Sequence, residues 1–288
     1  MADEIQIGII GGSGLYKMEA LTDKDERSVD TPFGKPSDNI VVGTLAGHRV
    51  AFVPRHGRGH MLMPSEVPYR ANVYALKSLG ARYIIAVSAC GSLREDYAPG
   101  EIVLADQLVD FTKGTRPSTF FGGGVVAHVG VAEPFCHGLR TVLAEAIGAA
   151  GGTVHTTGTY VTVEGPRFST RGESALYRQW GLDIIGMTTS PEAFLAREAE
   201  ICYAVMAMVT DYDSWRDTEV TVAEVIETFQ ANINLAQTAL IEAIPRVMAL
   251  SDPQPAHSAL SGALTSDRDR IPDARREELA LLMNSLLG

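Results

Sequence analysis

The sequence predicts an α/β protein with a single mixed β-sheet flanked by helices. Eight short runs rich in apolar and β-branched residues, separated by turn-forming residues, are typical of strands. Several of these runs are apolar at nearly every position, as expected for central strands that helices cover on both faces. Stretches with the spacing of amphipathic helices lie between them, so strands and helices interleave along the chain.

The predicted strands span residues 5–10, 40–45, 50–53, 83–88, 101–105, 158–164, 183–187 and 203–210. Helical spacing predicts helices at residues 67–79, 134–150, 171–179, 191–201 and 223–244. We expect Pro245 to stop or kink the last of these, because proline lacks the N–H that a helix needs. Residues 251–257 form a proline-containing linker, and an amphipathic helix follows at about 272–287.

A length of 288 residues is compatible with one large domain or two small ones. We predict one main domain over residues 1–250, and a linker and C-terminal helix over 251–288 that pack on the same domain. Hydrophobic residues make up 45% of the chain and charged residues 20%. These are ordinary globular values, which exclude disorder as the main state.

The charge and the cysteines narrow the functional class. With 35 acidic and 24 basic residues the net charge is −11, which offers no general attraction to nucleic acid or anionic lipid. The three cysteines include no CxxC pair, which disfavours a disulfide framework or a thiolate zinc site and favours reduced thiols. Neither a secretory signal nor a membrane-spanning stretch is apparent. We therefore predict a cytoplasmic protein without nucleic-acid or membrane partners.

The first candidate site is the glycine-rich turn at residues 8–15, after the first predicted strand. Its backbone N–H groups and the Ser13 hydroxyl can cradle an anion. The turn is a poor dinucleotide fingerprint, because Lys17 occupies the third glycine position of GxGxxG and no Gly-Lys-Ser/Thr motif follows. A plain structural turn is the alternative.

A cationic cluster follows the strand predicted at residues 50–53. Arg55 can grip phosphate oxygens with its forked guanidinium, and the His56 imidazole beside it can donate a further hydrogen bond. His56 and His60 have the i,i+4 spacing of a helical metal pair, but two glycines between them disfavour a helix and no third ligand is nearby. We predict no metal site, and a solvated basic loop is the alternative.

Small and hydroxyl-bearing residues end two further strands. Ser88 and Ala89 end one and Thr188 follows another, at the sheet edge where α/β proteins usually bind ligands. Tight packing would explain the small residues equally well. Thr189 is expected to cap the next helix, which leaves Thr188 for a ligand.

Two carboxylates and an aromatic residue complete the set. Asp211 and Asp213 can converge on one ligand edge, where partial burial would raise a carboxyl pKa enough for proton donation; a capped turn is the alternative. Phe168 can stack on a flat ring or fill the core. Anion donors, an aromatic face and a carboxylate pair, without an obvious protein nucleophile, favour transfer to inorganic phosphate, which is itself the nucleophile.

Ordered motifs along the chain extend this pattern: IGIIGGSG (7–14), DTPFGKPSD (30–38), RHGR (55–58), SACGSL (88–93), AEPFC (132–136), EGPRFS (164–169), MTT (187–189) and DYD (211–213). Through them, residues 5–248 resemble the trimeric purine nucleoside phosphorylase family, and within it the methylthioadenosine phosphorylases. The resemblance implies that phosphate cleaves the N-glycosidic bond of 5'-methylthioadenosine, giving adenine and 5-methylthioribose-1-phosphate. It also implies a homotrimer and no metal or organic cofactor, with inorganic phosphate as co-substrate.

The resemblance also implies site residues. Phosphate is expected among Ser13, Arg55, His56, Ser88, Ala89 and Thr188. The resemblance places Met187 under the ribose and Phe168 in the base pocket. Asp211 and Asp213 would face N7 and the exocyclic amine of adenine, with Asp211 as the general acid. His56 completes the catalytic set with these two carboxylates.

Substrate choice within the family depends on few positions. Members that prefer 6-oxopurines carry an Asn near Asp211 and a Glu near Ser169, and this chain has neither, so a 6-aminopurine is expected. The 5' group would lie in an apolar pocket completed by His128 of a neighbouring subunit, with Val222 as another wall. The alternatives are a broader adenosine or 6-oxopurine phosphorylase, a nucleotide-binding module or dehydrogenase, and a binding protein that has lost catalysis.

Overall fold

The computed structural model describes residues 4–12, 14–216, 221–251 and 253–287. Within these residues eleven strands join into one mixed sheet with helices on both faces, which confirms the predicted fold class. In chain order, strands β1 to β11 are Ile7–Gly11, Thr22–Arg27, Ile40–Leu45, His48–Pro54, Tyr83–Ser92, Ile102–Leu104, Gln107–Phe111, Val154–His155, Thr159–Val163, Ile184–Gly186 and Cys202–Asp211. Helices α1 to α7 are Tyr69–Ser78, His137–Ala149, Arg171–Gln179, Thr189–Glu198, Val222–Met248, Asp273–Glu278 and Ala280–Leu287.

Strand β5 organises the sheet around the site. Strands β4, β1, β5 and β11 run parallel, so their carboxyl ends meet at one edge. At residues 91 and 92 the end of β5 also pairs with β10, which runs antiparallel to it. The sheet therefore branches where β5 ends, and a branch of this kind leaves room for a ligand between neighbouring strands.

Each of the eight predicted strands is present, but three strands are absent from the prediction. Strand β2 has the sequence TDKDER, with five of its six residues exposed, and pairs with β3 at the sheet edge through backbone hydrogen bonds. Strand β7 is only partly buried, and β8 has two residues. Hydrophobic periodicity cannot identify such strands, because their side chains bury little apolar surface.

The structure corrects two helix predictions: the end of α5 and the single C-terminal helix. Helix α5 continues through Pro245 to Met248, because the fully buried Ile244 and the 1% exposed Val247 anchor its last turn in the core. The C-terminal segment is two helices rather than one. The break lies at Leu279, which has φ −99° and ψ 17° and a fully buried side chain. In both places tertiary packing outweighs local helix propensity.

The C-terminal segment packs against the sheet's own core. Leu260, Leu279 and Leu282 share a hydrophobic cluster with α1, α4 and one face of the central strands. The other face packs against α2 and α5. The proposed boundary near residue 250 stays a prediction. Among the described helices, none combines the length and apolar character needed to span a bilayer.

Candidate active site

A cavity of about 260 Å³ opens at the edge where the parallel strands end. Its walls come from the segments after β1 and β4, from the last part of β5, from the ends of β10 and β11 and the residues that follow them, from the loop before α3, and from the first part of α5. Ten of the residues predicted from sequence line it: Arg55, His56, Ser88, Ala89, Phe168, Ser169, Met187, Thr188, Asp211 and Asp213.

Three predicted site residues are not part of this lining. Ser13 lies outside the described residues. Val222 is 62% exposed at the start of α5, whereas Val225 and Phe229 on the same helical face line the cavity in its place. His128 is exposed on the loop that follows the bridge between Gly122 and Val125, so its expected role in a neighbouring subunit's site stays a prediction.

Arg55 is buried at the anion end of the cavity and is held from several sides. Its guanidinium makes a two-point ion pair with Glu192, with both N···O distances 2.8 Å. It also donates to the carbonyl oxygens of Val87 and Ile10. Burial opposes ionisation, but the charge of Glu192 and the hydrogen bonds to its carboxylate together outweigh burial and raise the pKa of Arg55 above its usual value. Arg55 is therefore a fixed, charged group at the end of β4.

Hydroxyl groups from two elements meet beside Arg55. Ser88 Oγ lies 3.5 Å from Thr188 Oγ1, although the two residues are 100 positions apart. Thr188, rather than Thr189, occupies the capping position of α4, which corrects the prediction from sequence. Its side chain makes no capping hydrogen bond, so the hydroxyl remains at the cavity. Such hydroxyls can donate to an oxyanion.

The His56 ring has a defined tautomer. Nδ1 lies 2.8 Å from the Leu62 carbonyl oxygen, which can only accept, so Nδ1 carries the proton. Burial and the neighbouring charge of Arg55 lower the pKa of His56 to about 4. The ring is therefore neutral at pH 7, and its Nε2 is an acceptor. In this state the ring would accept a hydrogen bond from a phosphate oxygen rather than donate one, and the role of His56 toward phosphate stays a prediction.

This pKa shift predicts a pH dependence of stability. Between pH 4 and 6.5 the unfolded chain binds a proton at His56 that the folded chain does not, so the free energy of unfolding rises with pH there. We expect His56→Gln to reduce that rise by roughly 1–3 kcal/mol. Urea unfolding at several pH values measures it, with His137→Gln, at an exposed position, as control. An unchanged slope for His56→Gln would contradict the shift.

The carboxylate pair lies at the end of β11, where Asp211 is the last residue of the strand and Asp213 follows it. Asp211 Oδ1 accepts from the Asp213 backbone N–H at 2.8 Å, and Asp211 Oδ2 accepts from Thr210 Oγ1 at 2.7 Å. Asp213 is 5% exposed and accepts a short hydrogen bond from Ser174. Burial raises the pKa of Asp213, although hydrogen bonds from Ser174 and Ser169 act in the opposite direction. Burial therefore favours the protonated form of the Asp213 carboxyl.

Arg116 is a buried residue, not predicted from sequence, that holds the loop before α3 in place. Arg116 donates to the Glu164 side chain at 3.0 Å, to the Met187 carbonyl oxygen at 2.5 Å and to the Ser190 carbonyl oxygen at 3.1 Å. It therefore ties the loop that carries Phe168 to the segment that carries Met187. No local pattern marks this arginine, because its partners lie far away in sequence.

His60, which the sequence suggested only as a metal ligand, lines the cavity. Its ring stacks on the His56 ring, with centroids 4.3 Å apart and planes 18° from parallel. In the described residues no cluster of three or more His, Cys, Asp or Glu side chains has an arrangement suited to a metal ion. The two imidazoles stack on each other, and the prediction that no metal is used stays a prediction.

The cavity combines three kinds of chemistry in one space. Arg55, Ser88 and Thr188 offer donors for an oxyanion, and the Asp211 and Asp213 carboxylates offer sites for proton exchange. Apolar walls between them can hold a flat ring and a sugar. A ligand that fills the cavity would contact both a bound anion and an acid, which suits displacement by an anionic nucleophile.

Comparisons with known proteins agree with this chemistry. The model of the Phosphorylase superfamily matches residues 6–245. The S-methyl-5'-thioadenosine phosphorylase of Gloeobacter violaceus is 53% identical, over 97% of this chain and 95% of that protein. That of Chloroflexus aurantiacus is 55% identical, over 95% of this chain and 96% of that protein.

Solved structures give the same result. A methylthioadenosine phosphorylase from an Antarctic soil metagenomic library is 49% identical with a TM-score of 0.93, covering 97% of this chain and 99% of that one. The Schistosoma mansoni methylthioadenosine phosphorylase in complex with adenine is 39% identical with a TM-score of 0.82, covering 98% of each chain. Its fold and its near full-length relatives show that the chain belongs to the S-methyl-5'-thioadenosine phosphorylases of the phosphorylase superfamily.

Proposed function

We propose that this chain catalyses the phosphorolysis of S-methyl-5'-thioadenosine to adenine and 5-methylthioribose-1-phosphate. The observation that carries the proposal is one cavity lined by both the anion donors and the carboxylate pair. Two relatives, at 53% and 55% identity, are named S-methyl-5'-thioadenosine phosphorylase, which supports the proposal. No metal or organic cofactor is required, because phosphate supplies the nucleophile and the protein supplies position and charge.

Phosphate binds at the end formed by Arg55, Ser88, Ala89 and Thr188, with Ser13 expected on the adjoining turn. Arg55 and the hydroxyls donate to its oxygens. His56 is neutral, so its Nε2 accepts from the protonated oxygen of hydrogen phosphate. This acceptor orients the phosphate so that an unprotonated oxygen attacks the anomeric carbon.

The leaving base binds at the carboxylate end, against Phe168. A protonated Asp211 gives its proton to N7 as the glycosidic bond breaks and becomes a carboxylate, and Asp213 contacts the exocyclic amine. Adenine therefore leaves as a neutral molecule, while phosphate attacks the opposite face of an oxocarbenium-like sugar above Met187. Ser169 and the two carboxylates match a 6-aminopurine, because a 6-oxopurine would leave buried polar groups wrongly paired.

The methylthio group binds against the apolar side chains of Val225 and Phe229. We propose that a neighbouring copy of this chain completes this wall with His128, in a cytoplasmic homotrimer. Val222, at 62% exposure in the single chain, would be covered in that assembly. A methylthio group gains more than a hydroxyl from such a wall, since it buries apolar area without losing hydrogen bonds to water.

The proposal is tested by following phosphate itself. Incubation with S-methyl-5'-thioadenosine and inorganic phosphate is monitored by ³¹P NMR for a new phosphate ester and by absorbance for free adenine. We expect the two products in equal amounts. Adenine release that continues without phosphate, or without a phosphate ester, would show hydrolysis and overturn the proposal.

A further inference from the structure

Glu192 is a buried acid that the proposed reaction does not use. It lies in the first turn of α4 and is 1% exposed. Its two carboxylate oxygens accept from Nε and Nη2 of Arg55, and Tyr203 Oη donates to the same carboxylate at 2.8 Å. Removing such a pair from water is costly, and a protein in which apolar residues of similar volume replace the pair is often as stable. Stability alone is therefore a weak explanation for the pair.

The hydrogen bonds of Arg55 suggest what the pair does. A guanidinium has five N–H donors. Nε–H and one Nη2–H bind Glu192, the other Nη2–H reaches the Ile10 carbonyl oxygen at 3.4 Å, and one Nη1–H binds the Val87 carbonyl oxygen at 3.0 Å. Among the described residues, the second Nη1–H has no protein acceptor. Because Arg55 lines the cavity, that N–H is the donor available to a ligand.

The elements that hold Arg55 are also those that carry the other anion donors. Val87 precedes Ser88 on β5, and Glu192 follows Thr188 in the segment that begins α4. A rotation of the guanidinium would therefore change its position relative to both hydroxyls. Glu192 prevents this rotation, because a two-point ion pair fixes the plane of the guanidinium as well as its position.

We propose that Glu192 is a positioning residue of the phosphate subsite, which holds Nε and Nη2 of Arg55 and leaves one Nη1–H for a phosphate oxygen. The inference rests on the proposed function, and it names the buried group on which phosphate affinity depends. Glu192 touches Arg55 and does not itself line the cavity. Its effect therefore reaches phosphate only through the guanidinium.

A double-variant cycle tests this. Binding of inorganic phosphate is measured by titration calorimetry for the unaltered chain, Glu192→Gln, Arg55→Met and the combined variant. We expect Glu192→Gln to weaken phosphate binding by about 10- to 100-fold, by analogy with side chains that orient metal ligands. In the Arg55→Met background the same change should alter affinity less than about twofold, because no guanidinium remains to be positioned.

Glu198→Gln is the matched control. Glu198 is a buried glutamate on the same helix, and it accepts from Thr119 and the Phe120 backbone N–H, away from the cavity. We expect this variant to keep the phosphate affinity of the unaltered chain. Thermal unfolding of every variant identifies the temperature at which all are folded, and the titrations are made below it.

The outcomes separate the inference from the proposed function. An equal loss in both backgrounds, or the same loss in Glu198→Gln, would overturn the inference and indicate a general structural effect. Absence of phosphate binding by the unaltered chain would overturn it too. If Glu192→Gln weakens phosphate binding only when Arg55 is present, but the unaltered chain does not cleave S-methyl-5'-thioadenosine, the inference stands and the proposed function is rejected.

Discussion

Asp211→Asn is expected to slow adenine release from S-methyl-5'-thioadenosine by about 100- to 10,000-fold, the usual range for loss of a general acid. An asparagine can still donate a hydrogen bond to N7, but it cannot transfer a proton. The base would then leave as an anion. The rate is measured at saturating phosphate, by the absorbance change on adenine release.

Phosphate binding provides the internal control for this variant. Asp211 is on the carboxylate side of the cavity, so the phosphate affinity of Asp211→Asn should stay within about twofold of the unaltered chain. Asp96→Asn, at a 62% exposed side chain on another loop, should leave the rate unchanged. Turnover of Asp211→Asn at the original rate would remove Asp211 from the mechanism.

Arg55→Met is expected to lower the free energy of unfolding by about 3–5 kcal/mol, because it leaves the Glu192 carboxylate buried without its partner. The side chains of the two residues are 4% and 1% exposed, so water cannot replace the lost interaction. Urea unfolding at pH 7 measures the change. This is the largest effect on stability that the site predicts.

The combined Arg55→Met and Glu192→Gln variant should recover most of that loss, because no net charge then remains buried. It should nevertheless stay defective in phosphate binding. Stability and phosphate affinity would thus respond differently to the same pair of changes. A combined variant that is no more stable than Arg55→Met would contradict the assignment of the loss to an unpaired charge.

Much of this site could be predicted from sequence because its residues follow strands. Ser88, Thr188 and Asp211 each lie at or just beyond a strongly apolar run, and such runs are easy to recognise. Parallel strands then bring their carboxyl ends together. The family resemblance assigned roles to thirteen residues in all, and ten of these line one cavity.

The parts that sequence did not predict depend on long-range contacts. Glu192 meets Arg55 across 137 positions, and Arg116 meets Met187 across 71. Neither partner can be identified from local spacing. The acceptor role proposed for His56 depends on a single contact with Leu62 and on burial, which no motif encodes.

Errors in the elements have a related cause. Strand β2 pairs with β3 at the sheet edge and buries none of its side chains fully, so its charged sequence gives no signal. Pro245 lies inside a helix because the buried side chains around it hold the last turn. Along α5, the predicted wall residue Val222 precedes Val225 by one turn, and only the packed structure decides which of the two reaches the cavity.

The measurement that tests the account most directly is the rate of base release from S-methyl-5'-thioadenosine, adenosine and inosine at equal concentration, each with and without inorganic phosphate. The account predicts release that requires phosphate and has the highest kcat/KM for S-methyl-5'-thioadenosine, with inosine the poorest substrate. A higher kcat/KM for inosine would contradict the assignment of Asp211, Asp213 and Ser169 to a 6-aminopurine.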